Sequence, residues 1–89
     1  MSSFYSSRHE RSSIECSVEF FLDLSSQELF DGFIENISES GFCLITEKYL
    51  DLGQEITIST NIFLPSPSAS VCWIEHNEDG SFKMGMKFI

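Results

Sequence analysis

Two short segments of this sequence hold the side chains best suited to gripping an anionic or purine-like group. The first is Arg8-His9-Glu10-Arg11, in which two guanidinium groups lie close together near the N-terminus. Each is a planar, permanently charged fork of donors that matches phosphate oxygens or a guanine edge. The second is Asn36-Ile37-Ser38-Glu39-Ser40-Gly41. Asn36 and Ser38 are short side chains that both donate and accept. Gly41 permits a positive φ and a close backbone approach that a side chain would obstruct. Each segment also has a plain alternative: two solvated charges on an arm, and an Asx or Ser turn between strands.

The charge balance narrows what such segments could serve. The chain has 89 residues and a formal net charge of -9, from 14 acidic and 5 basic side chains. An acidic surface repels phosphate backbones, which argues against binding to DNA, RNA or an anionic membrane. The basic residues are Arg8, Arg11, Lys48, Lys83 and Lys87, so further anion contacts must come from backbone NH groups or scattered lysines. His9 reads as a neighbour on the arm, and His76, just before a hairpin turn, as an exposed side chain. No Ser-His-Asp or Cys-His arrangement and no phosphate-cradling glycine loop is present. No catalytic function, metal or cofactor is therefore expected. Cys16, Cys43 and Cys72 are odd in number and lack the short spacing of a zinc or redox site. Each lies in an apolar stretch, where a free thiol acts as a small hydrophobe. Reduced thiols, with no export signal and no apolar run of about 18 residues, point to a cytoplasmic protein.

The elements that must position these segments read as strands. Residues 1–13 are rich in serine and are expected to form a flexible arm carrying the arginines. From Ile14, the residues Cys16, Val18, Phe20 and Leu22 alternate with mostly polar neighbours, the period-2 pattern of a half-buried strand. A second strand is expected over about 28–37, with Gly32 marking a bulge or close approach, and a third over 42–46. A fourth runs from Ile56 through Thr60, Ile62 and Leu64 to the Pro65-Ser66-Pro67 break. A fifth places Ala69, Val71 and Trp73 on one face. An Asp79-Gly80 hairpin signal then leads into a sixth strand over 82–88. Trp73 and the 9 phenylalanines are expected in the core. The expected fold is all-β: a small antiparallel β-barrel of about six strands over 14–89, since closure hides one face and removes free edges.

The succession of these segments resembles the PilZ domain family. That family carries an arginine motif before its first strand, two arginines with three residues between them. A second motif reads Asp or Asn, any residue, Ser, any two, Gly, and is complete here as Asn36, Ser38 and Gly41. Arg8 and Arg11 enclose two residues; counted back from Arg11, the family's first arginine position falls on Ser7. The resemblance continues through Gly53-Gln54, Ala69-Ser70-Val71-Cys72-Trp73 and Gly85-Met86-Lys87-Phe88, and so spans nearly the whole sequence. Many members continue into a C-terminal helix, whereas this sequence stops at Ile89.

The resemblance implies a non-enzymatic receptor for the bacterial messenger cyclic di-GMP. Arg8 and Arg11 would clamp the ligand, Asn36, Ser38 and Gly41 would form its floor, and rearrangement of the arm would signal to a downstream protein partner. The rival implication is a PilZ-like adaptor for protein interaction that has lost the nucleotide site, as in pilus or motility regulation. Ser7, the acidic charge and the absent helix favour the rival; the intact second motif opposes it.

Overall fold

The computed structural model describes residues 16–22 and 28–89. The expected arm, with Arg8 and Arg11, lies outside the described residues. Six strands form: β1 (Cys16–Phe21), β2 (Phe30–Glu35), β3 (Gly41–Thr46), β4 (Glu55–Ile58), β5 (Ser68–His76) and β6 (Phe82–Phe88). They close into an antiparallel barrel in the order β1-β2-β3-β6-β5-β4, with no helix among the described residues. The all-β barrel expected from the sequence is the fold observed.

Alternation decides which side chains fill it. Val18 and Phe20 of β1, Ile34 of β2, Leu44 of β3, Ile56 and Ile58 of β4, and Met84 and Met86 of β6 are all buried inside. Leu50, from the loop after β3, is buried with them as part of the same core. Gly32 sits on the inward face of β2. A Cβ there would lie 2.9 Å from Leu44 Cδ1 and 3.1 Å from the Ile45 carbonyl oxygen, so this glycine marks a close approach and not a bulge. Closure is uneven. β3 and β6 pair from Gly41↔Lys87 to Thr46↔Phe82, whereas β1 meets β4 at two register positions, Phe20↔Ile58 and Phe21↔Thr57. Two further bonds extend that seam: Ser59 N–H donates to the Glu19 carbonyl at 2.8 Å, and Glu19 N–H donates to Thr60 Oγ1 at 2.6 Å.

Two strand expectations need correction. β4 ends at Ile58 instead of continuing towards Leu64. Beyond it the chain leaves the ladder, with a tight bend in which Ile62 N–H donates to the Thr60 carbonyl at 2.9 Å. Ile62 and Leu64 still pack on the core from this loop, so the alternation was a burial pattern without a strand. In β5, the register passes from Val71↔Met86 to Trp73↔Gly85, so Cys72 is an extra residue, a β-bulge. One inserted residue reverses the facing of everything beyond it. Trp73 therefore turns outward and Ile74 inward, against the expected core tryptophan. Phe33, 52% exposed, and Phe63, fully exposed, also depart from the expected core.

The β5–β6 hairpin is held by its own polar residues. Asn77 N–H donates to the Ser81 carbonyl at 2.9 Å, and Gly80 takes φ 93°, which a side chain rarely adopts. Asp79 Oδ1 accepts from Ser81 N–H at 2.9 Å and from Ser81 Oγ at 2.7 Å. The Ser81 hydroxyl bond, then its backbone bond, hold the Asp79 carboxyl below its ordinary range. A depressed carboxyl pKa stabilises the fold above the unfolded value and loses that contribution as pH falls through the folded value. Asp79→Asn is thus expected to melt below wild type at neutral pH. The gap should close on acidification below about pH 4, where an ordinary aspartate becomes protonated. Thermal melts across that range check it, and a gap independent of pH would refute the ionic origin.

Candidate functional site

The second motif of the sequence is the corner between β2 and β3. β2 stops at Glu35 because Asn36 takes φ 56°, in the left-handed region that Asn visits more readily than other side-chain-bearing residues. The corner is then closed by Ser38, whose N–H donates to the Gly41 carbonyl at 2.8 Å. Ser38 Oγ accepts from Ser40 N–H and from Gly41 N–H, both at 3.3 Å. It also lies 3.2 Å from Ser40 Oγ and 3.3 Å from the Gly41 carbonyl. These side-chain bonds are long, so the hydroxyl is loosely held, and Ser38 is exposed. Among the described residues the Asn36 amide has no hydrogen-bond partner. Asn36 supplies the bend while its amide group stays available.

Gly41 meets one of the two backbone expectations placed on it. Its φ is not positive; Asn36 takes that role. A Cβ on Gly41 would lie 1.9 Å from the Met86 carbonyl oxygen, so the glycine lets β3 start hard against β6. The close approach is real, but it is to the protein's own backbone.

Asn36, Ser38 and Gly41 open onto a surface recess of about 490 Å³ that also touches Cys43, Trp73 and Lys87. The cross-strand register builds this recess. Cys43 pairs with Gly85, and Gly85 with Trp73, giving one row across β3, β6 and β5. The next row on the same face holds Gly41, Lys87 and Ser70. Trp73 lies over Gly85 so closely that a Cβ there would come 2.1 Å from the indole Nε1. One side of the ring is thus packed on the strand, and the residue remains 41% exposed. Lys87 is exposed and brings a cation to the same rim.

Of the five site residues expected, the structure gathers Asn36, Ser38 and Gly41 at one corner, while Arg8 and Arg11 lie outside the described residues. Trp73 and Lys87 were not among the expected site residues. No local signal finds Trp73, because its outward turn depends on the bulge and on pairing with a distant strand. Lys87 reaches the corner through its pairing with Gly41.

The described residues thus form a six-stranded barrel with a polar corner, a surface indole and a nearby cation at one recess. The PilZ domain family model matches residues 6–89, and the chain belongs to that family. PilZ domains are generally non-enzymatic receptors for cyclic di-GMP. Comparison with curated proteins and with solved structures finds no match. No helix among the described residues is long and apolar enough to cross a membrane.

Proposed function

We propose that this domain is a non-enzymatic cyclic di-GMP receptor, with the ligand seated at the β2–β3 corner. The observation that carries the reading is the meeting of Asn36, Ser38, Trp73 and Lys87 at one recess of a PilZ-family barrel. Each group suits one part of the ligand. The Asn36 amide can pair with a guanine edge, and the loosely held Ser38 hydroxyl can exchange its weak bonds for stronger ones. The indole of Trp73 offers a flat face for a base, of the kind that contributes about 1–3 kcal/mol per stacked base. Lys87 and, in the sequence, Arg8 and Arg11 supply positive charge for the two phosphates. Gly41 shapes the corner from beneath. Ordering of the arginine segment over the ligand, and its release, would carry the signal to a protein partner in the cytoplasm.

Because Trp73 is the only tryptophan, its fluorescence reports on the recess alone. Cyclic di-GMP is expected to bind in the micromolar range, about -8 kcal/mol, and to change that fluorescence along the same isotherm as calorimetric heat. GMP should give neither signal. Asn36→Ala and Ser38→Ala should each weaken binding by about tenfold, the effect of one lost hydrogen bond of about 1.4 kcal/mol.

The adaptor reading gains one structural observation beside the features of the sequence that favour it. Among the described residues, every bond that the Ser38 hydroxyl makes is local, as a turn without a ligand would require. Absence of both heat and fluorescence change at millimolar cyclic di-GMP would transfer the assignment to it.

A further inference from the structure

A second recess, of about 600 Å³, lies on the outer wall at the other end of the same strands, between the start of β2, the end of β3 and the β5–β6 hairpin. β3 runs from the motif corner at Gly41 to this recess at Thr46, roughly 17 Å at the usual rise per residue. The two surfaces are therefore separate.

The second recess has an apolar floor and an acidic rim. Phe33 pairs with Ile45 across β2 and β3. Both face outward, and Phe33 is 52% exposed. Asp31, Glu47 and Asp79 stand around them. Asp31 and Glu47 make no ion pair among the described residues. Among the described residues, Lys48 lines the recess, with its Nζ 4.9 Å from the centre of the Phe30 ring, and Lys83 stands beside Ile45 as its partner on β6, so three carboxylates face two lysines. Negative charge is thus left over around exposed hydrophobic surface.

That combination selects the occupant. The barrel is closed, so a partner has no long free edge to extend by strand addition and must bind through side chains. Nucleic acid and anionic lipid would bring phosphates against three carboxylates and a net charge of -9. A second copy would set two acidic rims together, since the described basic residues are three lysines, of which Lys48 and Lys83 already belong to this wall. We propose that this wall docks a cationic, amphipathic segment of a protein partner. Its apolar side chains would seat on Phe33 and Ile45, and its lysines or arginines would pair with Asp31, Glu47 and Asp79.

The test uses two synthetic helical peptides of equal length, one of leucine and lysine, the other with glutamate in place of each lysine. Each is titrated into isotopically labelled protein and followed by NMR. The lysine peptide should shift amides of 31–33, 45–48 and 79–81 and leave those of the motif corner unmoved, and the glutamate peptide should not bind. Phe33→Ser should weaken the lysine peptide by about tenfold or more, as loss of a central aromatic anchor does, whereas Phe33→Leu should keep most of the affinity. Asp31→Asn with Glu47→Gln should weaken it and flatten its salt dependence. Because Phe33 is exposed, an unchanged spectrum away from the recess will show that the variants remain folded.

Shifts spread over the whole acidic surface, equal binding of the glutamate peptide, or indifference to Phe33→Ser would overturn the proposal. So would a dimer, seen by sedimentation, that Phe33→Ser dissolves, because the wall would then belong to a second copy. Neither outcome depends on whether cyclic di-GMP binds at the motif corner.

Discussion

Gly41→Ala is expected to lower the melting temperature by on the order of 15 °C, the shift that about 3 kcal/mol produces in a domain of this size. The cause is a backbone collision. The added Cβ would lie 1.9 Å from the Met86 carbonyl oxygen and 3.0 Å from the Met86 carbonyl carbon. No side-chain rotation relieves a clash with main chain, so β3 would have to move off β6 where Gly41 faces Lys87 and Phe42 faces Met86. Phe42 is buried and packs its ring 5.3 Å from that of Phe88. The movement would loosen that contact as well. Forced insertion of a methyl group into tight packing costs about 1–3 kcal/mol, with the upper end fitting a rigid neighbour. Gly53→Ala is the control. It has open space around its Cβ position and only an unfavourable φ of 83°, for which about 1–2 kcal/mol is expected. Melts followed by circular dichroism compare the two, and a Gly41→Ala variant as stable as wild type would contradict the close approach. Loss of ligand binding in Gly41→Ala would thus report on the fold before it reported on any contact with ligand.

Arg11→Ala is expected to abolish measurable cyclic di-GMP binding, and Arg8→Ala to weaken it by at least about tenfold. A hydrogen bond to a charged group contributes about 1.5–3 kcal/mol, which corresponds to roughly 10-fold to 150-fold in affinity. Arg11 matches the second arginine of the family motif, so on the proposed clamp its loss would remove one of the two arginine contacts. Arg8 stands next to Ser7, the position where the family carries the other arginine. A shift of one residue along the chain could bring Arg8 into that place. Ser7→Arg should then tighten binding and steepen its salt dependence through an added phosphate-directed charge. Titrations at two salt concentrations, with circular dichroism to confirm folding, separate these effects. If both alanine variants bind as well as wild type, the arginine clamp is wrong. If Ser7→Arg changes nothing, the motif is not aligned on Arg11.

What could be read from the sequence divides according to the range of the cause. The alternation in β1 and β6 was legible because each buried residue follows from its own neighbours, as with Val18 and Phe20 or Met84 and Met86. The hairpin at Asp79-Gly80 was legible for the same reason: the turn is made by the residues that signal it. The corner at Asn36 to Gly41 was legible as a motif, but the roles within it were not. Asn36, not Gly41, carries the left-handed backbone, and Gly41 answers to Met86, a residue far along the chain. Trp73 was misread because Ala69, Val71 and Trp73 alternate correctly, and the bulge at Cys72 arises only when β5 meets β6. The outward Phe33 is similar. It lies on β2 beside Phe30 and Ile34, which suit a core as well as it does, and facing alone leaves it outside.

The uneven closure of the barrel bears on the order in which the molecule assembles. The β5–β6 junction joins strands that follow one another through a tight turn, so it can form early with little loss of chain entropy. The β1–β4 seam joins Phe20 to Ile58 and Phe21 to Thr57, contacts that require the intervening strands to be in place or nearly so. Contacts of long sequence separation are slow to form; the β3–β6 pairing spans as long a separation but offsets it with a continuous ladder from Gly41 to Thr46, whereas this seam rewards the chain with few backbone bonds. It should be the last wall to close in folding and the first to part in the native state, where it would be seen as rapid amide exchange in β4 while β3 and β6 stay protected. β1 is also the strand into which the arginine segment leads. The part of the sheet that yields most readily is therefore continuous, along the chain, with the residues proposed to close over the ligand.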